Sequence, residues 1–187
     1  MKTKQGIYRA DIPSGIRNEL IENLRGKENM VIKESIGAAS GILLPDYVDV
    51  KGAYGSPRLL RSMAGAMWAA MDSRVTCVAA AGHGGIPLAT ALSVEHDLPL
   101  ILVRDELKNH GRPTWLDGYV PTGRDFVAVV DDVLTTGGSI DRIVKKVTET
   151  TAPRTPAFLE AVVVVKRGST CSGVVPVKYL LTRENLL

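Results

Sequence analysis

A strongly apolar segment that ends in two carboxylates and a glycine-rich loop is the feature that most limits how this chain can fold. Phe126–Val130 is a run of five apolar residues rich in β-branched side chains, which is typical of a strand buried on both faces in a parallel sheet. After the loop, Ile140–Thr150 carries apolar residues at helical spacing. The segment therefore predicts a strand–loop–helix unit, with its polar loop at the carboxyl end of the strand, where open α/β sheets bind ligands.

The loop has the residue types that bind a phosphate. The backbone N–H groups of Thr136–Ser139 are expected at the start of a helix, where the helix dipole favours an anion. Gly137 and Gly138 allow positive φ and a close approach of the backbone. The hydroxyls of Thr135, Thr136 and Ser139 add donors.

Asp131 and Asp132 call for a different ligand group, because carboxylates repel phosphate. They suit the hydroxyls of a neighbouring ribose, or a hydrated Mg²⁺. The alternative is that Ser139 caps the helix and both carboxylates are solvated, but a cap needs only one such residue. No Gly-Lys-Ser/Thr follows the glycines, so the loop is not a Walker loop.

From residue 75 onward the chain alternates between predicted strands and helices. This pattern predicts a single α/β domain with a central parallel sheet flanked by helices. The predicted strands are Val31–Lys33, Tyr47–Val50, Val75–Ala80, Leu98–Val103, Phe126–Val130, Ala157–Val165 and Val177–Leu181. The predicted helices are Pro13–Arg25, Pro57–Asp72, Ile86–His96 and the one after Ser139.

One segment, Arg104–Arg124, interrupts the alternation. A loop of about twenty residues is long for a compact domain and is often an active-site lid. It contains five basic side chains, which are Arg104, Lys108, His110, Arg112 and Arg124. The segment is either a solvated hairpin or a mobile basic flap that closes over a polyanion.

Composition excludes several classes of protein. A net charge of +3 over 187 residues does not favour nucleic acid as the main partner. The two cysteines, Cys77 and Cys171, form neither a disulfide framework nor a metal cluster. The first residues are polar, unlike a signal peptide, and no apolar run approaches the roughly 20 residues that span a bilayer. We therefore expect a soluble, cytoplasmic protein.

The segment Phe126–Ser139 closely resembles the signature with which type I phosphoribosyltransferases bind 5-phosphoribosyl 1-pyrophosphate (PRPP). Further segments are similar to the orotate phosphoribosyltransferase family in particular. Val103–Gly111 resembles its flexible-loop motif Val-Arg-Lys-x-x-Lys-x-His-Gly. The other similar segments are Ser40–Gly41, Asp46–Lys51, Ala80–Ala89, Trp115–Gly118 and Val165–Gly168.

The resemblance implies a type I phosphoribosyltransferase fold over residues 1–187, with a small N-terminal hood (1–50) and an α/β core (51–187) that carries a flap (104–124). It implies transfer of phosphoribose from PRPP to orotate with Mg²⁺, in a homodimer whose flap residues are shared across subunits. The catalytic residues would be Lys108, His110, Asp131 and Asp132, with Thr135 and Arg167 binding orotate. PRPP would contact Arg104, Lys108, His110, Asp131, Asp132, Val133, Leu134, Thr135, Thr136, Gly137, Gly138 and Ser139. No metal ligand is assigned directly, since Mg²⁺ would be carried by PRPP near Asp131 and Asp132.

The chain departs from the family pattern at five positions. Asp105 stands where the flap motif has a lysine, and Lys166 stands where an acid precedes the orotate-binding arginine. The other departures are Ala39, Asp46 and Gly84. Two alternatives therefore stay open: a phosphoribosyltransferase for another base, such as a purine or uracil, and a non-catalytic PRPP-binding regulator of the same fold.

Overall fold

The computed structural model describes residues 6–26, 30–32, 36–37, 43–44, 47–107, 114–168 and 173–187. Its centre is a seven-stranded sheet. The sheet strands are β1 Ile7–Arg9, β6 Cys77–Ala81, β7 Leu100–Val103, β8 Leu116–Gly118, β9 Phe126–Leu134, β10 Ala157–Lys166 and β11 Val177–Thr182. Their order across the sheet is β1-β11-β10-β9-β6-β7-β8, and neighbouring strands are parallel except β7 and β8, which are antiparallel.

Four α-helices accompany the sheet, and short strand pairs lie apart from it. The helices are α1 Ser14–Arg25, α2 Pro57–Ala70, α3 Gly82–His96 and α4 Gly138–Thr151, with 3-10 turns at Lys51–Gly55 and Arg183–Leu186. The strands β2 Val31–Ile32 and β5 Tyr47–Val48 pair antiparallel, as do β3 Ile36–Gly37 and β4 Leu43–Leu44. Among the described residues, no helix is both long and apolar enough to cross a bilayer.

The core has two layers because alternate residues of the central strands point to opposite faces. On one face, Val78, Ala128 and Val162 pack with buried residues of α1, α2 and α3. On the other face, Val129 and Val163 pack with buried residues of α4. This arrangement confirms the predicted parallel sheet covered by helices on both sides.

Strand β9 is longer than predicted. It runs to Leu134 instead of ending at Val130, since β10 pairs with it as far as Lys166↔Leu134. Asp131 and Asp132 therefore lie in the strand itself, and the connection to α4 is only Thr135–Gly137. The ladder with β10 outweighs the low strand propensity of the two aspartates.

Two further differences from the sequence prediction concern α3 and β8. Helix α3 begins at Gly82, four residues before the predicted Ile86, so that its first turn follows β6 directly. The predicted Arg104–Arg124 loop contains the short strand β8, paired antiparallel with β7. Gly118 ends β8 with φ +73°, and a Cβ at this position would meet the carbonyl oxygen of Leu100 at 2.5 Å.

Candidate active site

The carboxylate pair lies at the carboxyl end of the central strand β9. Asp131 is half-buried and Asp132 is buried. The hydrogen bonds that described residues donate to the pair come from the backbone: Asp132 N–H to Asp131 Oδ1 at 3.0 Å, and Val133 N–H to Asp132 Oδ1 at 2.8 Å. Burial, and after it the neighbouring charge of Asp132, raises the pKa of the Asp131 carboxyl to about 8. Asp131 is therefore poised to hold a proton at neutral pH.

The first turn of α3 packs directly against this pair. A Cβ at Gly84 would overlap the carboxyl group of Asp132, so a glycine permits the close approach. The Tyr54 hydroxyl donates a 2.6 Å hydrogen bond to the Gly84 carbonyl. The charge of Lys51 acts in the opposite direction to burial on the pKa of Asp131.

Sequence reasoning gave Lys51, Tyr54 and Gly84 no part in the site. The segments around Lys51 and Gly84 were recognised as similar to the family, but their proximity to the carboxylates depends on the fold. Tyr54 carried no signal of its own.

The loop after β9 presents the start of α4 without a side-chain cap. Gly137 adopts φ +81° and is the N-cap residue, and it makes no side-chain hydrogen bond to the first turn of α4. Ser139 is the second residue of the helix, so the alternative in which it serves as the cap is wrong. Gly137 confirms the expected positive φ, whereas Gly138 is helical. The free N–H groups and the helix dipole suit an anion.

A second loop, after β10, touches the first. The backbone N–H groups of Arg167 and Gly168 donate to the Leu134 carbonyl at 2.9 and 3.0 Å. A Cβ at Gly168 would overlap the carbonyl of Thr135. The Leu134 side chain itself is buried in the core under α4. Arg167 and Thr135 are thus adjacent, as their predicted shared ligand requires.

Lys166, the residue before this loop, occupies the position at which the family has an acidic residue. Its ammonium lies 5.2 Å from the centre of the Tyr179 ring, within the range of a cation–π contact.

Arg104 begins the predicted flap and follows β7 at the same edge of the sheet. Its Nη1 donates to Asp117 Oδ2 at 2.6 Å, and Lys146 Nζ donates to its carbonyl at 2.7 Å. The Asp105 side chain is exposed. Several predicted or compared positions lie outside the described residues: Lys108, His110, Arg112, Cys171, Ala39, Asp46 and Ser40–Gly41.

Taken together, the carboxyl ends of β9 and β10 and the starts of α3 and α4 supply complementary chemistry. Uncapped N–H groups and hydroxyls suit a phosphate, and two carboxylates beside them suit hydroxyl groups of a sugar. Cys77, in contrast, is buried beneath α4, and burial raises the pKa of its thiol to about 11, so it is an inert core residue.

Comparison with known proteins places this chain in a family. No model of a known protein family matches the chain. The orotate phosphoribosyltransferase of Methanothermobacter thermautotrophicus is 36% identical over 134 residues, which cover 72% of this chain and 73% of that protein. This chain belongs to the orotate phosphoribosyltransferase family. The Thermococcus kodakarensis orotate phosphoribosyltransferase is 37% identical over 132 residues, covering 69% of this chain and 70% of that protein.

The fold agrees with the family. A crystal structure of Mycobacterium tuberculosis orotate phosphoribosyltransferase matches with a TM-score of 0.70 and 26% identity, covering 91% of this chain and 98% of that one. The seven-stranded, mostly parallel sheet flanked by helices is therefore the type I phosphoribosyltransferase fold.

Proposed function

We propose that this chain is an orotate phosphoribosyltransferase, which converts orotate and PRPP to orotidine 5′-phosphate and pyrophosphate in UMP synthesis. The observation that carries the proposal is the Asp131–Asp132 pair lying beside the uncapped start of α4, in a chain that belongs to this family. In the reaction, a bond forms between orotate N1 and ribose C1 while the bond from C1 to the pyrophosphate oxygen breaks.

The PRPP phosphate at C5 would be held by the loop after β9. Thr135–Ser139 offers hydroxyls and the free N–H groups at the start of α4. Asp131 and Asp132 would accept hydrogen bonds from the ribose hydroxyls, with Val133 and Leu134 as the backbone between them and the loop. As ionised carboxylates they would also stabilise the positive charge that develops on the ribose as pyrophosphate departs.

The departing pyrophosphate would be bound from the flap. Arg104 is present at the start of this segment, and Lys108 and His110 would complete the set. These residues would neutralise the negative charge of the leaving group. In our proposal the protein acts as a homodimer in which flap residues are shared across subunits.

Orotate would lie between the loops after β9 and β10. Arg167 would pair with its carboxylate, because a planar guanidinium makes two parallel hydrogen bonds to such a group. Thr135 would contact the base from the other loop. The contact of both loops through Leu134 and Gly168 supports this arrangement.

The donors present fit a Mg²⁺ that takes most of its oxygen ligands from PRPP and water. Within the described ranges no three His, Cys, Asp or Glu side chains cluster as a metal site, and Asp131 and Asp132 supply carboxylate oxygens at the ribose. Mg²⁺ prefers such mixed oxygen coordination and keeps several waters. When bound, it would neutralise charge on the pyrophosphate.

The test is pyrophosphate release from PRPP and Mg²⁺ with orotate, uracil, adenine or guanine supplied separately. Of the four bases, we expect only orotate to cause release of pyrophosphate. Release with another base would identify a phosphoribosyltransferase of different specificity, and PRPP binding without release for any base would identify a regulator.

The substitution Arg167→Ala tests whether Arg167 binds the carboxylate of orotate. We expect the KM for orotate to rise about tenfold or more, from loss of a charge-assisted pair, with the Kd for PRPP nearly unchanged. Arg154→Ala is the matched control, because Arg154 is exposed near the opposite, amino end of β10. An equal weakening of both ligands by Arg167→Ala would contradict the assignment.

A further inference from the structure

One lysine of helix α4 contacts both chain segments that border residues 108–113. Lys146 Nζ donates to the carbonyl of Arg104 at 2.7 Å and to that of Asp105 at 2.8 Å. The same ammonium lies 4.4 Å from the centre of the Trp115 ring. One side chain thus joins the segment leaving β7 to the segment entering β8.

The neighbouring lysine shows how unusual this placement is. The Lys145 side chain is 75% exposed, and its ion pair among the described residues is a 3.8 Å contact with Glu149, one turn later on the same helix. A pair of that kind contributes little to stability. Lys146 instead binds two backbone carbonyls and an aromatic face, which fixes the position of its charge.

The segments that Lys146 joins also pair with each other. The Arg104 N–H donates to the Trp115 carbonyl at 2.9 Å, so both the N–H and the carbonyl of Arg104 are engaged. With both backbone groups held, the direction in which the Arg104 side chain leaves the chain is fixed.

The guanidinium of Arg104 has capacity for a further acceptor. Its Nη1 pairs with Asp117 at 2.6 Å, but its Nε is buried and has no hydrogen-bond acceptor among the described residues. A buried donor without an acceptor is costly. The Arg104 side chain as a whole is 39% exposed, so its outer N–H groups remain within reach of an anionic ligand. The group is therefore oriented and partly desolvated before any ligand arrives.

We propose that Lys146 is a positioning residue for the pyrophosphate end of the site, which acts by holding the backbone of Arg104 in place. The proposal rests on the proposed function, in which Arg104 binds the leaving pyrophosphate. Lys146 does not touch the substrate. Its effect passes through the Arg104 carbonyl. Loss of Lys146 should therefore weaken the binding of PRPP and pyrophosphate and leave the binding of orotate unchanged.

Three variants test this: Lys146→Met, the matched control Lys145→Met, and Lys146→Arg. We expect Lys146→Met to raise the KM for PRPP about tenfold relative to Lys145→Met, on the scale of one misplaced charge-assisted contact. The KM for orotate should stay within twofold. Lys146→Arg, which keeps the charge and can still donate to a carbonyl, should recover at least half of the loss.

Three kinetic results would overturn the proposal: equal KM values for PRPP in Lys146→Met and Lys145→Met, a parallel rise in the KM for orotate, or no recovery in Lys146→Arg. If Lys146→Met does not fold, Lys146→Gln is judged by the same criteria.

Calorimetric Kd values for pyrophosphate with Mg²⁺ separate this proposal from the proposed function. Absence of turnover by the wild-type protein contradicts the proposed function alone, whereas an unchanged pyrophosphate Kd in Lys146→Met contradicts the positioning role.

Discussion

The two ends of strand β9 carry carboxylates that the protein treats in opposite ways. Asp125, just before the strand, accepts from Thr122 N–H at 2.7 Å, Thr122 Oγ1 at 2.9 Å, Tyr119 Oη at 3.0 Å and Thr76 Oγ1 at 3.2 Å. At the other end, Asp131 and Asp132 each accept, among the described residues, one hydrogen bond from the backbone N–H of the residue that follows it.

The pKa values of the carboxylates also differ between the two ends of β9. Although burial opposes ionisation of Asp125, hydrogen bonds from Thr122, Tyr119 and Thr76 hold its pKa below the ordinary value. Burial and the charge of Asp132 raise the pKa of Asp131. The protein satisfies the carboxylate that stabilises a turn and leaves under-satisfied the pair that we assign to a ligand. Substitutions at the two ends should therefore affect different properties.

The largest expected effect is on catalysis at the carboxyl end. We expect Asp131→Asn or Asp132→Asn to lower kcat/KM for PRPP about 100-fold or more, since each removes a charge placed where positive charge develops. The midpoint of thermal unfolding should stay the same or rise, because an amide is easier to bury than a charge. Steady-state kinetics and a melting curve check both parts, and a loss of less than threefold would contradict the assignment.

The pH profile gives the next largest effect. With a pKa of about 8 for Asp131, kcat/KM for PRPP should rise with pH and level off above that value, because only the ionised carboxylate carries the charge that stabilises the positive ribose. If a single proton controls the reaction, kcat/KM two pH units below this pKa should be roughly 100-fold lower than on the plateau.

The same shift has a consequence for stability. An unfolded aspartate titrates near pH ~4, so between there and pH 8 the folded state binds more protons. The contribution of Asp131 to the free energy of unfolding should therefore fall as pH rises through this window. Asp131→Asn should abolish this slope, and a profile unchanged by that substitution would count against the shifted group.

Gly84 gives a moderate effect by displacing one carboxylate. Gly84→Ala places a Cβ where the Asp132 carboxyl now lies, so we expect kcat/KM to fall about tenfold as the group moves. Gly65→Ala is the control, because Gly65 lies within α2 and a Cβ there meets nothing within 4 Å. The control should keep full activity and gain about 1 kcal/mol of stability from helix propensity. Equal kinetics for the two variants would show that the close approach is unimportant.

The smallest effect on activity is expected at the amino end. Asp125→Asn should leave kcat/KM within twofold and lower the free energy of unfolding by about 1 kcal/mol, through loss of the charged acceptor for Thr122, Tyr119 and Thr76. Denaturant unfolding measures the cost. A large loss of activity without loss of stability would remove the distinction between the two ends.

The sequence predicted the central strand β9 and helix α4 because both depend on local pattern. The apolar run at Phe126–Val130 and the helical spacing after Ser139 need no tertiary information. The continuation of β9 through Asp131–Leu134 was missed, because only pairing with β10 overrides the low strand propensity of aspartate. The early start of α3 was missed because its first residues, from Gly82 to Gly85, include three glycines.

The site residues that the sequence did not reveal depend on long-range contacts. Tyr54 and Gly84 are 30 residues apart, and Lys146 reaches Arg104 across 42. Nothing in the local sequence marks Tyr54 or Lys146, since a half-buried tyrosine and a helical lysine are both common in α/β proteins. These positions acquire a role only when the fold brings the carboxyl ends of the strands together.

The most direct test of the central claim is the number of protons released when PRPP binds. Isothermal titration at pH 7, in buffers of different ionisation enthalpy and with Mg²⁺ held constant, gives this number for the wild-type protein, Asp131→Asn and Asp125→Asn. If Asp131 must ionise to accept the ribose, the wild-type protein and Asp125→Asn should release close to one proton more than Asp131→Asn. Equal proton release by all three would contradict the assignment of the pair to PRPP.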